Sequence, residues 1–168
     1  MERLAGLESH PLRDQYPCRL PVWWARRGGV EKDPKLRGVS GRAIVLRIPK
    51  QFRRVERLLA RILRAPKELR RPLDTMNSLL WELCDGSRTF GEICQTLDLV
   101  FQEQISPVIF RTSAAIHQFQ QQQLMITLEE PLNQRWSVGP GQTPVHQQLA
   151  EIQSEYGFDT EPIEGEAP

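Results

Sequence analysis

The amino-acid sequence predicts an α+β domain in which a small antiparallel sheet precedes a bundle of three helices. Three observations support this class. Residues 43–48 place large apolar side chains at every second position, which is typical of a strand with one buried face. Residues 74–124 contain three stretches in which apolar side chains recur at helical spacing, with capping residues between them. Prolines at positions 49 and 66 end the segments that precede this bundle.

Residues 1–29 predict an N-terminal extension without regular structure, because they contain three prolines and no sustained period. Trp23 and Trp24 are expected to pack this extension against the domain. A strand near residues 30–37 is expected to form a hairpin with the strand at 43–48, since the glycine-rich stretch between them favours a turn. The predicted domain therefore begins at residue 30.

Residues 52–64 predict a helix inserted between two strands of the sheet. Its apolar side chains form one stripe, and its arginines take the other side. These arginines are predicted to form a basic, partner-binding face: Arg53, Arg54, Arg57, Arg61 and Arg64. Residues 67–73 then predict a short strand, which is expected at a sheet edge because Pro72 cannot donate a ladder hydrogen bond.

Two helices joined by a tight turn come next. Asp74 or Thr75 can cap the first helix, and Gly86 stands where a left-handed C-cap is expected. Thr89 and Glu92 match a capping box, in which each side chain bonds to the backbone N–H of the other residue. These caps predict a helix-turn-helix pair.

Ser106 and Pro107 predict the start of the third helix, because serine is a common N-cap and proline is tolerated at the first helical position. This helix is expected to run into the glutamines at 120–123. Residues 129–168 contain one cation and eight acids, and they predict an acidic, flexible tail with a short helical stretch at 144–156.

The charge of the chain is distributed very unevenly. The chain has 168 residues and a formal net charge of +1. Residues 1–71 carry 19 of the 22 lysines and arginines but only 7 of the 21 acids, whereas residues 72–168 carry 3 cations and 14 acids. This asymmetry indicates an acidic partner for the first part, an attraction between the two parts, or simply two solvated faces of opposite sign.

Several classes of protein are excluded by what the sequence contains. Charges interrupt every apolar run well below the roughly 20 residues of a membrane-spanning helix, and the first residues lack the apolar core of a signal peptide. Cys18, Cys84 and Cys94 are too scattered for a disulfide framework or a zinc knuckle and are expected to be buried, unreactive thiols. The chain is expected to be cytoplasmic and to hold no metal or other cofactor.

One motif in the helix-turn-helix pair resembles the signature of a known family. The run from Leu80 to Gly86 reads Leu-Trp-Glu-Leu-Cys-Asp-Gly, and Ser-Arg-Thr89 and Glu92-Ile93 follow it. This series resembles the Trp-x-Leu-Cys-Asp-Gly-x-Arg-Thr-x-x-Glu-Ile signature of PqqD-like proteins (coenzyme PQQ synthesis protein D). These proteins are the peptide chaperones, or recognition elements, of ribosomally made and modified peptides.

The elements around the motif also fit that family. A hairpin, an edge strand and three helices with a tight turn between the first two make a winged helix-turn-helix arrangement, to which the basic helix is an insertion. The resemblance is clear over about residues 73–128 and looser over the strands at 42–73, within a predicted domain at 30–128. One departure lies at the end of the third helix, where Gln123 replaces the usual glycine.

The resemblance implies a non-catalytic protein. Members of the family capture the leader segment of a precursor peptide as an added strand and present it to a radical S-adenosylmethionine enzyme, and the resemblance implies the same role here. In the family the peptide lies between the third strand and the third helix. Carried over to this chain, the peptide-binding residues are Leu69, Arg70, Arg71 and Leu73 on the strand and Val108, Arg111, Thr112 and Ala115 on the helix. The apolar members of this set fit an ordinary core equally well.

Charge indicates which peptide would bind. From Lys50 to Arg71 the chain carries nine cations against Glu56 and Glu68, so the leader is expected to be acidic and its binding to weaken as salt rises. The acidic tail is a rival ligand for the same basic face. Deleting the tail should then tighten peptide binding.

Nucleic-acid binding is the main alternative, because winged helices often bind DNA. Residues 106–124, where a recognition helix would lie, contain Arg111 as their one fixed cation, whereas phosphate contacts need several. The helix at 52–64 can still meet a phosphate backbone or, more weakly, a membrane surface. An enzyme is least expected, because the sequence contains no Cys-x-x-Cys and no glycine-rich phosphate loop, and its three histidines are far apart.

Overall fold

The structure, a computed structural model, describes residues 2–49, 68–145, 147, 149 and 156–168. The predicted basic helix at 52–64 lies outside the described residues, as does most of the helical stretch expected at 144–156. The described part contains α-helices and two small antiparallel sheets, so the mixed α+β class is confirmed.

The strands form a four-stranded and a two-stranded sheet. The strands are β1 (Tyr16–Arg19), β2 (Trp23–Val30), β3 (Arg42–Pro49), β4 (Glu68–Pro72), β5 (Met125–Leu128) and β6 (Phe158–Asp159). The α-helices are α1 (Thr75–Leu83), α2 (Phe90–Phe101) and α3 (Val108–Gln121). The larger sheet has the order β4-β3-β2-β6, and β1 pairs with β5 in the smaller one.

The hairpin of the larger sheet begins earlier in the chain than predicted. β2 supplies its first strand and residues 31–41 form the connection, so the strand expected near 30–37 is wrong. Burial explains the difference. Trp23 and Trp24 are buried in β2, whereas the stretch after Val30 is mostly charged and contains a proline, so a strand there would bury little apolar surface.

The three helices and the larger sheet share an apolar core. Trp24 of β2 meets Trp81 of α1 edge-on, with ring centroids 6.5 Å apart. Trp81 in turn lies 5.6 Å from Phe119 of α3. Because aromatic rings of this size bury large areas, this series holds β2, α1 and α3 together.

The predicted N-caps of the first two helices are confirmed, whereas Cys84 and not Gly86 is the C-cap of α1. The Asp74 side chain accepts a hydrogen bond of 2.7 Å from the Asn77 backbone N–H at the start of α1. At the start of α2, the Thr89 backbone N–H donates to Glu92 Oε2 at 2.7 Å and the Glu92 backbone N–H donates to Thr89 Oγ1 at 3.2 Å. Local chemistry alone thus determines where both helices begin.

Gly86 is required by the turn between α1 and α2. Its φ is +80°, which favours glycine. A Cβ atom at this position would lie 2.7 Å from Leu132 Cβ and 2.9 Å from Cys18 Sγ. The turn therefore brings α1, β1 and the segment after β5 into contact, and a side chain at this position would separate them.

The start of α3 differs from the prediction. α3 begins at Val108, Pro107 takes the cap position, and no side chain caps the helix. The Ser106 backbone N–H instead donates to the Glu103 carbonyl at 3.3 Å, within a 3₁₀ turn at Gln102–Ile105. The N-cap expected at Ser106 is therefore wrong, because the preceding turn determines its conformation.

The end of α3 keeps the geometry that a glycine would give. Gln123 has a φ of +59°. Its backbone N–H donates to the Gln120 carbonyl at 3.0 Å, and the Leu124 N–H donates to the Phe119 carbonyl at 3.0 Å. These two bonds and the buried pair Phe119–Leu124 make a Schellman motif.

Replacing Gln123 by glycine is expected to raise the free energy of unfolding by about 1 kcal/mol, because glycine adopts the left-handed region without a Cβ clash. Urea denaturation followed by tryptophan fluorescence measures the change. The matched control is Gln121→Gly, two residues earlier in the last turn of the helix, which is expected to lower stability by about 1 kcal/mol. A lower stability for both variants would contradict the left-handed conformation.

The acidic C-terminal residues 156–168 lie against the domain, which differs from the flexible tail expected from their charge. β6 pairs with β2, and the Val138 backbone N–H donates to the Pro168 carbonyl at 2.9 Å. Glu166 forms a 2.5 Å ion pair with the buried Arg26. The acids of this segment thus meet arginines from the N-terminal part of the chain, as expected if the two parts attract each other.

Candidate functional site

β4 lies at one edge of the four-stranded sheet, as Pro72 predicts. Its inner edge pairs with β3, with Arg71 opposite Leu46 and Arg70 opposite Arg47. Among the described strands, none pairs with its outer edge. The strands nearest the two chain ends lie elsewhere, because β1 pairs with β5 and β6 pairs with β2.

The register determines which backbone groups of β4 face outward. The Leu73 N–H donates to the Ile44 carbonyl at 2.9 Å, which makes these residues a hydrogen-bonded pair. Such pairs alternate along antiparallel strands, so the backbone groups of Arg71 face β3 and those of Arg70 face away from it. The β4 residues whose backbone groups face outward are Glu68, Arg70 and Pro72. Pro72 brings only a carbonyl, so the donors of this edge are the N–H groups of the other two.

The side chains of β4 alternate between the two faces of the sheet. Leu69, Arg71 and Leu73 lie on the face that carries the helices, and Leu73 is part of the core. Leu69 leaves 48% of its surface exposed, although it lies on the same face. The apolar core thus ends between these two leucines, and Leu69 offers an uncovered apolar contact beside the open edge.

Arg71 links β4 to the C-terminal end of α3. Its guanidinium donates to Gln122 Oε1 and lies 5.8 Å from the centroid of the Phe119 ring. Both partners are uncharged, and among the described residues no carboxylate forms an ion pair with Arg71. We call the outward backbone groups of Glu68 and Arg70, with the side chains of Leu69 and Arg71, the β4 edge site.

Arg70 points to the opposite face of the sheet. Its guanidinium lies 4.1 Å from the centroid of the Tyr156 ring and 5.9 Å from that of Phe158. These two rings stack on each other with centroids 5.7 Å apart. The two arginines of β4 that are predicted to bind peptide are therefore separated by the sheet, and only Arg71 of these two faces α3.

The helix residues predicted to bind peptide take different positions. Val108 and Thr112 are completely buried, and Ala115 packs partly against the core. Arg111 is exposed, and its guanidinium donates to the Gln104 carbonyl. Val108 and Thr112 have no surface to offer a ligand in this structure. On the helix side, the β4 edge site is bordered by the buried Phe119 and by the exposed Gln122, the residue after α3.

Gln122 was not predicted because no pattern distinguishes it. It is an exposed member of a run of four glutamines, and its part in the site follows from the packing of α3 against the sheet. The structure does not describe the arginines of the predicted basic face, which are Arg53, Arg54, Arg57, Arg61 and Arg64.

A polar cavity of about 430 Å³ lies near the same end of α3. Its lining includes Ile48, which pairs with Leu69 across the sheet. Four glutamines contribute their amides: Gln121, Gln122, Gln123 and Gln147. An amide group can both donate to and accept from a peptide main chain. Gln147 Oε1 is buried and has no hydrogen-bond partner in the described part of the chain.

The cysteines give no sign of reactive thiols. All three are buried and free. Burial raises the pKa of Cys18 to about 11 and that of Cys94 to about 12, and it also raises the pKa of Cys84. Within the described residues, no three His, Cys, Asp or Glu side chains are grouped to hold a metal ion. None of the described helices is long and apolar enough to cross a bilayer.

No protein family, no curated protein and no solved structure matches this chain.

Proposed function

We propose that this chain is a non-catalytic peptide-binding protein with a winged helix-turn-helix arrangement. It captures the leader of a precursor peptide by strand addition at β4 and presents it to a modifying enzyme of the radical S-adenosylmethionine type. The observation that carries the proposal is the outward-facing backbone of Arg70, which no described strand pairs. The resemblance of residues 80–93 to the PqqD-like signature supports the choice of ligand.

Strand addition needs an edge with free donors and acceptors. The outer edge of β4 supplies N–H and carbonyl groups from Glu68 and Arg70 and the carbonyl of Pro72. Each main-chain bond adds a net stabilisation of only about 1 kcal/mol. A few such bonds therefore give an affinity weaker than about 1 mM by themselves. The neighbouring side chains must supply the rest, and Leu69 and Arg71 are the side chains of β4 placed to do so.

Replacing Arg70 by proline tests this proposal. Proline removes the outward N–H and places its ring where an added strand would lie, while the bonds to β3 from Leu69 and Arg71 remain. Peptides are first selected by the unmodified full chain from a displayed library of random peptides about ten residues long. Their affinity for Arg70→Pro is expected to fall at least about tenfold, or about 1.4 kcal/mol.

Two further variants make the result specific. Arg70→Ala removes the same side chain but keeps the N–H, so it should retain most of the binding. Arg71→Pro removes an inward N–H that bonds to β3 and is expected to destabilise the fold instead. Equal affinity of the selected peptides for Arg70→Pro and Arg70→Ala would show that no strand adds to this edge.

A further inference from the structure

We propose that the β4 edge site selects extended peptides in which an acidic and an apolar side chain are two residues apart. This inference rests on the proposed function and specifies its ligand. It comes from the spacing of Leu69 and Arg71, which lie two residues apart on the helix-facing side of β4.

The geometry provides two adjacent side-chain positions for a guest strand. Side chains of paired strands that point to the same face lie about 5 Å apart, so two guest side chains would meet Leu69 and Arg71 directly. The next residue on that face, Leu73, is buried in the core and offers no further contact. Among the residues that the structure describes, the pattern is therefore limited to two positions, at i and i+2.

The charge of Arg71 determines which guest side chain is preferred opposite it. Three other arginines of the larger sheet have carboxylate partners: Arg26 pairs with Glu166, Arg42 with Asp159, and Arg47 with Glu68. Arg71 has only an amide oxygen and an aromatic ring beside it in the described part of the chain. A guest carboxylate would supply the missing opposite charge, and bonds between guanidinium and carboxylate are among the stronger hydrogen bonds in proteins.

The Arg71 side chain is also held in place before a peptide binds. Phe119 is buried, and the end of α3 is fixed by the Schellman motif at Gln123. Gln122 therefore presents its amide oxygen to Arg71 from a defined position. Less side-chain freedom is then lost on binding, which favours affinity and selectivity.

Leu69 determines which guest side chain is preferred at the other position, two residues away. Its side chain is exposed on the helix-facing side of β4, and it pairs with Ile48, which lines the glutamine-rich cavity. An apolar guest side chain opposite Leu69 would cover that exposed surface. An acidic one would be left beside an apolar side chain with no cation of β4 on its own face nearer than Arg71.

The test compares peptides selected by different variants of the full chain from the same displayed random library. The unmodified protein is expected to enrich an Asp or Glu two residues from an apolar residue. Arg71→Glu should replace the acid by Lys or Arg at the same spacing. Arg70→Glu is the matched control, because it makes the same charge change on the other face, and it should keep the acidic preference.

Arg71→Gln is a second variant for the case in which Arg71→Glu does not fold. It removes the positive charge without reversing it, so it should abolish the preference for acidic peptides without creating a preference for basic ones. Circular dichroism verifies that each variant is folded. An acidic preference that survives in both Arg71 variants, or enriched peptides with no pair at i and i+2, would overturn the inference. The proposed function would still stand in that case if Arg70→Pro abolishes binding, whereas it would fail if Arg70→Pro binds normally.

Discussion

Replacing Glu82 by alanine is expected to lower the free energy of unfolding by about 3–5 kcal/mol. The Glu82 side chain on α1 is completely buried and forms a 2.8 Å ion pair with Arg26 of β2. It also accepts hydrogen bonds from Ser40 Oγ at 2.7 Å and from the Gly41 backbone N–H at 3.0 Å. Alanine would leave these buried donors without an acceptor, which costs more than the lost bonds themselves.

Chemical denaturation followed by tryptophan fluorescence measures this loss, since Trp24 and Trp81 are buried in the core. Glu103→Ala is the control. Glu103 also pairs with an arginine, Arg3, at 2.7 Å, but its side chain is 79% exposed. Its loss should cost at most about 1 kcal/mol. Similar values for the two variants would mean that the buried pair does not connect α1 to the hairpin.

Glu82 also shows what the signature can and cannot predict. It occupies the variable position of the Trp-x-Leu step, so the motif assigns it no role. In the structure its carboxylate connects α1 to the hairpin connection at Ser40 and Gly41. Its partner Arg26 is 56 residues away in the sequence. Local patterns contain no information on a contact of that separation.

The elements that the sequence predicts correctly are those with local causes. Asp74 and the Thr89–Glu92 pair bond to backbone groups three residues away, so their caps can be read directly from the sequence. The position of β2 and the packing of residues 156–168 depend on distant partners. Arg26 and Glu166, for example, are 140 residues apart. These features could not be predicted from composition, which indicated an extension and a tail.

The candidate site was predictable to the same extent. Pro72 alone indicates an edge strand, and the alternation of a strand already places Arg70 and Arg71 on opposite faces. The residues of α3 beside the site were harder to predict from the sequence. Whether a position on α3 such as Thr112 faces the core or a ligand depends on how the helix packs against α2 and the sheet. Sequence periodicity gives the apolar face of a helix but not the element that covers it.

The two edges of the larger sheet differ in whether a described strand pairs with them. At the β2 edge, β6 adds a short strand whose Asp159 pairs with Arg42, and Glu166 of the same C-terminal segment pairs with Arg26. At the β4 edge, no described strand is added. An unprotected edge invites pairing with other chains, and proteins usually cover or blunt it. Within the described residues, one edge is thus covered and the other carries a proline and two arginines, which is consistent with the ligand proposed at β4.

Replacing Glu166 by alanine is expected to lower the free energy of unfolding by about 2–4 kcal/mol. The Glu166 side chain is 4% exposed and bonds to Arg26, and it also accepts from the Ile163 backbone N–H at 3.0 Å. The loss should be smaller than for Glu82→Ala, because Glu82 also accepts from Ser40 Oγ and the Gly41 N–H, whereas the further donor described for Glu166 is the Ile163 N–H. Glu164→Ala is the matched control, since Glu164 is 90% exposed and lies 3.3 Å from Arg37, and it should cost less than about 0.5 kcal/mol.

Urea denaturation of the two single variants and of the double variant Glu82→Ala, Glu166→Ala completes the test. The two losses of stability should not add, because both carboxylates share Arg26.

Peptide binding gives an independent result for the single variant Glu166→Ala. Because Glu166 contacts Arg26 of β2 and not the β4 edge site, folded Glu166→Ala should bind the selected peptides as the unmodified chain does. Severalfold tighter binding would instead mean that the acidic C-terminal segment competes with peptides for the basic part of the chain.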